Sequence, residues 1–153
     1  METDQYAKGF EVVPLEDWHL AELRLQATQR YVAPMMTAEY GAALRKAGPA
    51  FAGIRDGKVL AAAGLIMLHA ERASAWALLA EDSGKQFVAI FRAIRRFLDS
   101  QSIRRVDTWA FSEFEPARRW LRMLGFSPEG RMRCYCEDGS DAELYARITE
   151  TRK

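Results

Sequence analysis

The sequence of 153 residues has very few cysteines and histidines, the residues that form disulfides and bind zinc. Its two cysteines are Cys134 and Cys136, and its two histidines, His19 and His69, are far from them in sequence. Cysteines two positions apart in a strand point to opposite faces and do not bridge easily, and no histidine stands at zinc-ligand spacing. We therefore expect no disulfide, no metal site and a reduced, cytoplasmic-type protein.

Long hydrophobic runs and an excess of one charge are also missing. The longest apolar stretch, residues 60–68, is about half of what a membrane-spanning helix requires, and residues 1–9 contain no signal-peptide core. The net charge of +1 gives no general attraction to nucleic acid or acidic lipid. We expect a soluble protein that binds neither nucleic acid nor membranes.

The composition is that of a globular protein, with 49% hydrophobic and 28% charged residues. A chain of this length buries roughly 68–70% of its unfolded surface, so a hydrophobic core can stabilise it alone. We predict a single domain over residues 1–153. Arginines cluster at residues 92–105 and 118–122, either as solvated helix faces or as a basic groove for a phosphorylated ligand.

Hydrophobic periodicity and turn residues predict the secondary structure. The predicted strands are residues 10–13, 50–55, 58–69, 73–80, 103–111, 131–137 and 143–148, with Asp56-Gly57 as a hairpin turn. The predicted helices are residues 15–30, 37–47 with Thr37 as N-cap, 87–98, and 114–124 stopped by Gly125. The order β-α-α-β-β-β-α-β-α-β-β predicts an α/β (α+β) fold. Its central sheet would be mixed and mostly antiparallel, with helices on both faces.

Residues 114–126 read FEPARRWLRMLGF and resemble a pattern of the GNAT superfamily of N-acetyltransferases, N-x-x-A-x-x-L-Y-E-K-L-G-F. Ala117, Leu124, Gly125 and Phe126 match it directly, and Trp120 takes an apolar position. The order of elements is similar to that of the superfamily over nearly the whole chain. The chain is also similar to short phage-encoded GNAT-like proteins in its size and in how little it keeps beyond the fold.

Two positions depart from the superfamily's pattern. Leu121 stands where a tyrosine commonly protonates the departing coenzyme A thiolate, and leucine has no proton to give. The cofactor loop, commonly Q/R-x-x-G-x-G/A, aligns with residues 82–87, which begin with Asp82 and end with Phe87. An acidic residue repels phosphate, and a phenylalanine fills space that a pyrophosphate would need.

The resemblance implies acetyl-CoA or another acyl-CoA as cofactor, no metal, and a set of candidate site residues. The cofactor would contact Leu79, Ala80, Ser83, Gly84, Lys85 and Gln86; the acceptor would contact Trp76, Tyr31 and Met35. Glu81 is the candidate base, and its alternative role is that of a solvated residue favouring the dipole of the next helix. His69 is either a further candidate or a solvent-facing residue at the end of a strand, and Cys134 or Cys136 could be a nucleophile, although no partner residue supports this.

Two functions remain open. The first is an acyltransferase that moves an acyl group from acyl-CoA to a primary amine of a small molecule or protein. The second is a catalytically degenerate GNAT-like protein that binds a protein partner or forms a homo-oligomer, as a virion-associated or host-interaction protein. Loss of the tyrosine at Leu121 and of the loop glycines favours the second, whereas the number of active superfamily members that tolerate one such loss favours the first; the fold alone does not decide between them.

Overall fold

A computed structural model describes residues 9–150; apart from Gly9, the polar N-terminal segment considered above lies outside them. The elements are, in chain order, β1 Phe10–Pro14, α1 His19–Glu22, a first 3₁₀ helix Ala27–Met35, α2 Ala38–Ala47, β2 Ala50–Arg55, β3 Lys58–His69, β4 Arg72–Leu79, a second 3₁₀ helix Ser83–Gln86, α3 Phe87–Asp99, β5 Arg105–Phe111, α4 Glu115–Met123, β6 Ser127–Met132 and β7 Ala142–Ile148. None of the helices described is long and apolar enough to cross a membrane.

Within residues 9–150, seven strands form one sheet in the order β1-β2-β3-β4-β5-β7-β6. β4 and β5 pair in parallel, whereas β1–β2, β2–β3, β5–β7 and β6–β7 pair antiparallel. The predicted mixed, mostly antiparallel sheet and the order of strands and α-helices are thereby confirmed. The predicted helices on both faces of the sheet stay a prediction.

The described chain divides into two compact units. The first comprises residues 9–66 and Trp76–Leu98, and the second comprises Met67–Ala75 and residues 99–150. β3 and β4 each contribute residues to both units. The single domain predicted from length and composition stays a prediction.

The strongest local signals in the sequence are confirmed. Asp56 and Gly57 have φ angles of 50° and 74°, the left-handed conformation that a two-residue hairpin turn requires. Thr37 caps α2 by accepting a hydrogen bond from the backbone N–H of Tyr40 at 3.2 Å. Gly125, with φ of 95°, ends α4, and the next residue's N–H returns to the Leu121 carbonyl.

The helix predicted over residues 15–30 is wrong, because that stretch contains only the four-residue α1 and part of the first 3₁₀ helix. Between them the chain is extended, and Leu25 forms an antiparallel bridge with Ala80. The N–H of Glu81 donates to the Arg24 carbonyl at 2.8 Å, and that of Gln26 donates to the Leu79 carbonyl at 2.9 Å. Pairing with the end of β4 therefore overrides an amphipathic pattern that is only approximately helical.

The strand predicted over residues 131–137 is also wrong. β6 begins earlier, at Ser127, and the cysteines lie in the turn after it, where Cys134 has φ of 53°. The Asp141 carboxylate fixes this turn by accepting from the Cys134 N–H at 2.8 Å and from Arg131 Nε at 2.7 Å. Because the cysteines lie in this turn and not in a strand, the premise that they alternate across a strand fails, although both are free.

β6 lies at one end of the sheet order and is irregular. It contains Pro128 and Gly130, and its register with β7 shifts between these two residues. Proline lacks a backbone donor, and a bulge interrupts the regular ladder, so the outer edge of β6 is poorly shaped for further pairing.

A buried carboxylate links the beginnings of β4 and β5 within the second unit. Asp107, 7% exposed, accepts from Arg72 Nε at 3.0 Å and from Arg105 Nε at 3.2 Å. Arg105 also makes a bidentate contact with Glu129 of β6, with N···O distances of 3.1 and 2.6 Å. The cluster fixes the register of the parallel pair at its first residues, because a buried carboxylate needs both charge and hydrogen-bond partners.

We predict that Gly41→Ala destabilises the protein, although alanine is normally the better helix former. A Cβ at Gly41, inside α2, would lie 2.4 Å from the backbone oxygen of Asp17, and a backbone atom shifts less easily than the end of a flexible side chain. Urea unfolding should show a loss of about 1–3 kcal/mol, the usual cost of overpacking. At exposed Ala43 of the same helix the opposite change, Ala43→Gly, should cost roughly 1 kcal/mol. A Gly41→Ala protein as stable as the original would contradict the close packing.

We predict that acid below neutrality destabilises the protein through His19. His19 is 1% exposed, its Nδ1 accepts from the Glu16 N–H at 2.8 Å, and burial lowers its pKa. The unfolded chain then binds more protons, so the free energy of unfolding is intact above the unfolded pKa of about 6.5 and falls below it. Urea unfolding at pH 7.5 and 5.5 should give a smaller pH effect in His19→Asn, which keeps an acceptor but does not titrate. Equal pH effects would contradict this role.

Candidate functional site

β4 is a central strand whose second half is not well buried. Its residues 74–78 are all half-buried, although strands pair on both sides of β4 in the sheet order. Side chains alternate between the two faces of a strand, so solvent reaches both faces of this stretch. Such exposure in the middle of a sheet is typical of a ligand-binding position.

The hydrogen bonding of β4 changes along its length. Its parallel pairing with β5 runs from Arg72 to Ser74, and the Thr108 hydroxyl then donates to the Ala75 carbonyl at 3.1 Å. The Arg105 N–H of β5 donates to the carbonyl of Glu71, the residue before β4. In a parallel pair every second residue bonds to the same neighbour, so the odd-numbered residues of β4 direct their backbone N–H and C=O groups to the edge that faces β5. Further along the same edge lie the backbone groups of Ala77 and Leu79.

At Ala77 and Leu79 the side-chain amide of Gln29 makes the hydrogen bonds that a neighbouring strand would make. Gln29 Nε2 donates to the Ala77 carbonyl at 2.7 Å, and Gln29 Oε1 accepts from the Leu79 N–H at 2.9 Å. Gln26 supports it by donating from Nε2 to the same Oε1 at 3.1 Å, while its backbone N–H donates to the Leu79 carbonyl. We call these contacts the Gln29 latch. They satisfy backbone groups that would otherwise lack partners.

Leu79, Ala80 and Glu81, predicted to align a pantetheine arm through their backbone, already donate hydrogen bonds within the protein. The Leu79 N–H donates to Gln29, the Ala80 N–H to the Leu60 carbonyl at 2.9 Å, and the Glu81 N–H to Arg24. A ligand that takes the Leu79 N–H must therefore exchange with the Gln29 latch.

Two ion pairs flank the end of β4. Glu81 Oε2 lies 3.5 Å from Arg30 Nη2, and both side chains are largely exposed. Lys58 Nζ pairs with the Asp82 carboxylate, and the hydrogen bond from Lys58 lowers the pKa of Asp82. The negative charge of Asp82, expected from the sequence to repel phosphate, is therefore balanced by Lys58.

The predicted pyrophosphate residues form the second 3₁₀ helix, directly before α3. Ser83 and Gln86 are buried, whereas Gly84 and Lys85 are exposed to solvent. The side chain of Phe87, expected to fill space, is 41% exposed at the first turn of α3. The N-terminal end of the α3 dipole is positive, so Lys85 stands near a position where an anion is favoured.

The predicted acceptor residues lie on two elements of the first unit. Tyr31 and Met35, 52% and 48% exposed, belong to the first 3₁₀ helix, which also supplies Gln29 and Arg30 to the end of β4. Trp76 is half-buried in β4, and its Nε1 is buried without a hydrogen-bond partner among residues 9–150. An unpaired buried donor is costly, which makes Trp76 Nε1 a reasonable ligand contact.

No feature of the sequence pattern distinguishes Gln29 or Gln26 as a site residue. Glutamine is an ordinary surface residue of a helix, and both residues fell inside a predicted helix where their amides would face water. A recognisable signal would have been the break of helical periodicity at Leu25, which coincides with the bridge to Ala80.

The remaining candidates have local structural roles. Leu121 is a buried residue of α4, 9% exposed. His69 ends β3, and its Nδ1 accepts from the Glu71 N–H at 3.1 Å in the following turn. Across the part of the chain that the structure describes, no three or more His, Cys, Asp or Glu side chains are grouped to hold a metal.

No family model and no curated protein matches the chain. Several solved structures are similar to it over nearly its whole length. A ribosomal-protein-alanine acetyltransferase from Vibrio fischeri is 16% identical with a TM-score of 0.73, covering 100% of this chain and 98% of its own. The ribosomal protein acetyltransferase RimL, in complex with coenzyme A, is 14% identical with a TM-score of 0.73, covering 99% and 100%. A chimera of the spermidine N-acetyltransferase SpeG from Vibrio cholerae is 17% identical with a TM-score of 0.72, covering 92% and 95%.

The chain has the GNAT fold. The similarity covers nearly all of this chain and of each of these structures, which confirms the resemblance suggested by residues 114–126. At 14–17% identity the similarity establishes the GNAT fold and not an activity.

Proposed function

We propose that this protein transfers an acetyl or other acyl group from acyl-CoA to a primary amine. The main support is the edge of β4, where Ala77 and Leu79 bind a planar amide in a half-buried stretch of a GNAT-fold sheet. The pantetheine arm of coenzyme A contains two amides, each with one donor and one acceptor. An extended arm of this kind suits the alternating acceptor and donor of a strand edge.

The phosphates of the cofactor would lie at the second 3₁₀ helix. Lys85 is exposed there, at the positive end of the α3 dipole, and Asp82 is neutralised by Lys58. Ser83, Gly84 and Gln86 would line this position without adding charge, and the Ser83 N–H already donates to the Ala80 carbonyl at 3.2 Å. Because the loop lacks the superfamily's glycines, we expect weaker binding than a closely fitting phosphate loop gives.

The transfer step would use few protein groups. The amine nitrogen attacks the thioester carbonyl carbon, the C–S bond breaks, and the amine proton passes through water to Glu81. The thiolate of coenzyme A leaves and takes a proton from solvent, since Leu121 cannot supply one. Trp76, Tyr31 and Met35 would contact the acceptor, an amine of a small molecule or of a protein.

A second function, binding without catalysis, is favoured by two observations. Leu121 is buried and has no proton to donate, and the Gln29 latch occupies the edge that a cofactor would use. In that case a protein partner or a second copy would be the ligand, in a virion-associated or host-interaction role. The two functions differ in whether acyl-CoA binds.

We predict that acetyl-CoA binds with micromolar affinity and that Lys85→Glu weakens binding roughly tenfold or more, by placing a carboxylate where phosphate is expected. Isothermal titration calorimetry measures both affinities. Lys46→Glu, the same charge change in the last turn of α2, is the control and should bind as the original does. No heat at millimolar acetyl-CoA would reject the transferase and favour the binding protein.

We predict that Glu81→Gln lowers kcat about 100-fold while acetyl-CoA affinity stays unchanged, because the carboxylate accepts a proton but does not bind the cofactor. Release of free thiol can be measured with spermidine and with a peptide bearing a free N-terminus as acceptors. Glu22→Gln, an exposed carboxylate of α1, is the control. An unchanged kcat in Glu81→Gln would leave Glu81 as a solvated partner of Arg30.

A further inference from the structure

We infer that Gln29 is a displaceable gate on the donor edge of β4, whose amide leaves when the amide of an acyl-pantetheine arm binds. The inference rests on the proposed function, and it concerns regulation of the same site. Its basis is that Gln29 makes both of the hydrogen bonds that an incoming amide would make.

The orientation of the Gln29 amide is fixed by its partners. The Leu79 N–H can only donate, so the atom facing it is the Gln29 oxygen, and Gln26 Nε2 donates to the same oxygen. The Ala77 carbonyl can only accept, so the amide nitrogen faces it. The side chain therefore presents its C=O and N–H to β4 as a neighbouring peptide would.

This geometry also identifies the ligand class. The edge offers an acceptor at Ala77 and a donor at Leu79, and Gln29 demonstrates that one planar amide satisfies both at 2.7 and 2.9 Å. A carboxylate would face the Ala77 carbonyl with an oxygen, and an amine would leave the Leu79 N–H without a partner. The edge thus suits an amide better than a carboxylate or an amine, because an amide carries both a donor and an acceptor.

Gln29 is placed so that it can leave without unfolding its surroundings. It is half-buried and belongs to a 3₁₀ helix, which has poorer hydrogen-bond geometry than an α-helix. The exchange conserves hydrogen bonds on β4, because the incoming amide replaces the outgoing one. Breaking the Gln29 latch costs free energy, so acyl-CoA binds more weakly than it would to a β4 edge that Gln29 had already left.

The same helix couples the latch to Glu81. Arg30 follows Gln29 directly and contacts the Glu81 carboxylate at 3.5 Å. Movement of residues 29 and 30 away from β4 would separate the guanidinium from the carboxylate. Displacement of the Gln29 side chain alone would leave the Arg30–Glu81 contact in place.

The test compares Gln29→Met, which keeps the side-chain length but removes both hydrogen bonds, with the original protein and with Gln101→Met as the matched control. Acetyl-CoA titrated by calorimetry should bind Gln29→Met roughly tenfold more tightly than the other two. In the original protein, ¹⁵N NMR should show the Gln29 side-chain NH₂ signals move on adding acetyl-CoA, while the Leu79 amide stays protected from exchange.

The outcomes separate the gate from the proposed function. Binding by the original protein with no gain in Gln29→Met and unmoved NH₂ signals overturns the gate and leaves the transferase standing. Absence of binding by both proteins at millimolar acetyl-CoA overturns both. If Gln29→Met does not fold, Gln29→Glu replaces it, because it keeps an acceptor for the Leu79 N–H and loses only the donor to Ala77. Gln29→Glu should also bind acetyl-CoA more tightly than the original protein, but with a smaller gain than expected for Gln29→Met. The NMR measurement is made on the original protein and depends on neither variant.

Discussion

The parallel ladder between β4 and β5 ends at Ser74, but the backbone groups of β4 beyond it still need hydrogen-bond partners. The structure of the segment that supplies these partners depends on this requirement. Ala77 is half-buried and Leu79 is buried, so leaving their backbone groups without partners would cost free energy. Residues 24–29 supply the partners, as a short extended segment and a glutamine amide. This requirement explains why the chain between β1 and α2 is broken into short pieces.

At their first residues, β4 and β5 are held together by ion pairs as well as by backbone hydrogen bonds. Asp107, between Arg72 and Arg105, fixes the first residues of β4 and β5 with charge as well as hydrogen bonds. One half of β4 is thus bound by ion pairs and a parallel ladder, and the other half by neutral amides. Neutral contacts to water-accessible amides can exchange with a ligand, whereas the buried carboxylate cannot be released without a large penalty.

Where local chemistry decides, the sequence was sufficient to predict the structure. Asp56-Gly57 specifies its own turn, and Thr37 and Gly125 specify helix ends within a few residues. The failures involve contacts that the local sequence pattern does not reveal. Leu25 is extended because of Ala80, and the Cys134 turn depends on Asp141. The candidate site was predicted from resemblance, and Gln29 was missed because its partners lie 48 and 50 positions away.

The irregular β6 strand has a consequence for assembly. Strand-to-strand association, in which two copies continue one sheet, needs an edge with evenly spaced donors and acceptors. Pro128 and the register shift before Gly130 interrupt that spacing at the β6 end of the sheet order. A homodimer of this protein would therefore be built from side chains on its surfaces rather than from a shared ladder at β6, and its specificity would depend on shape more than on backbone pairing.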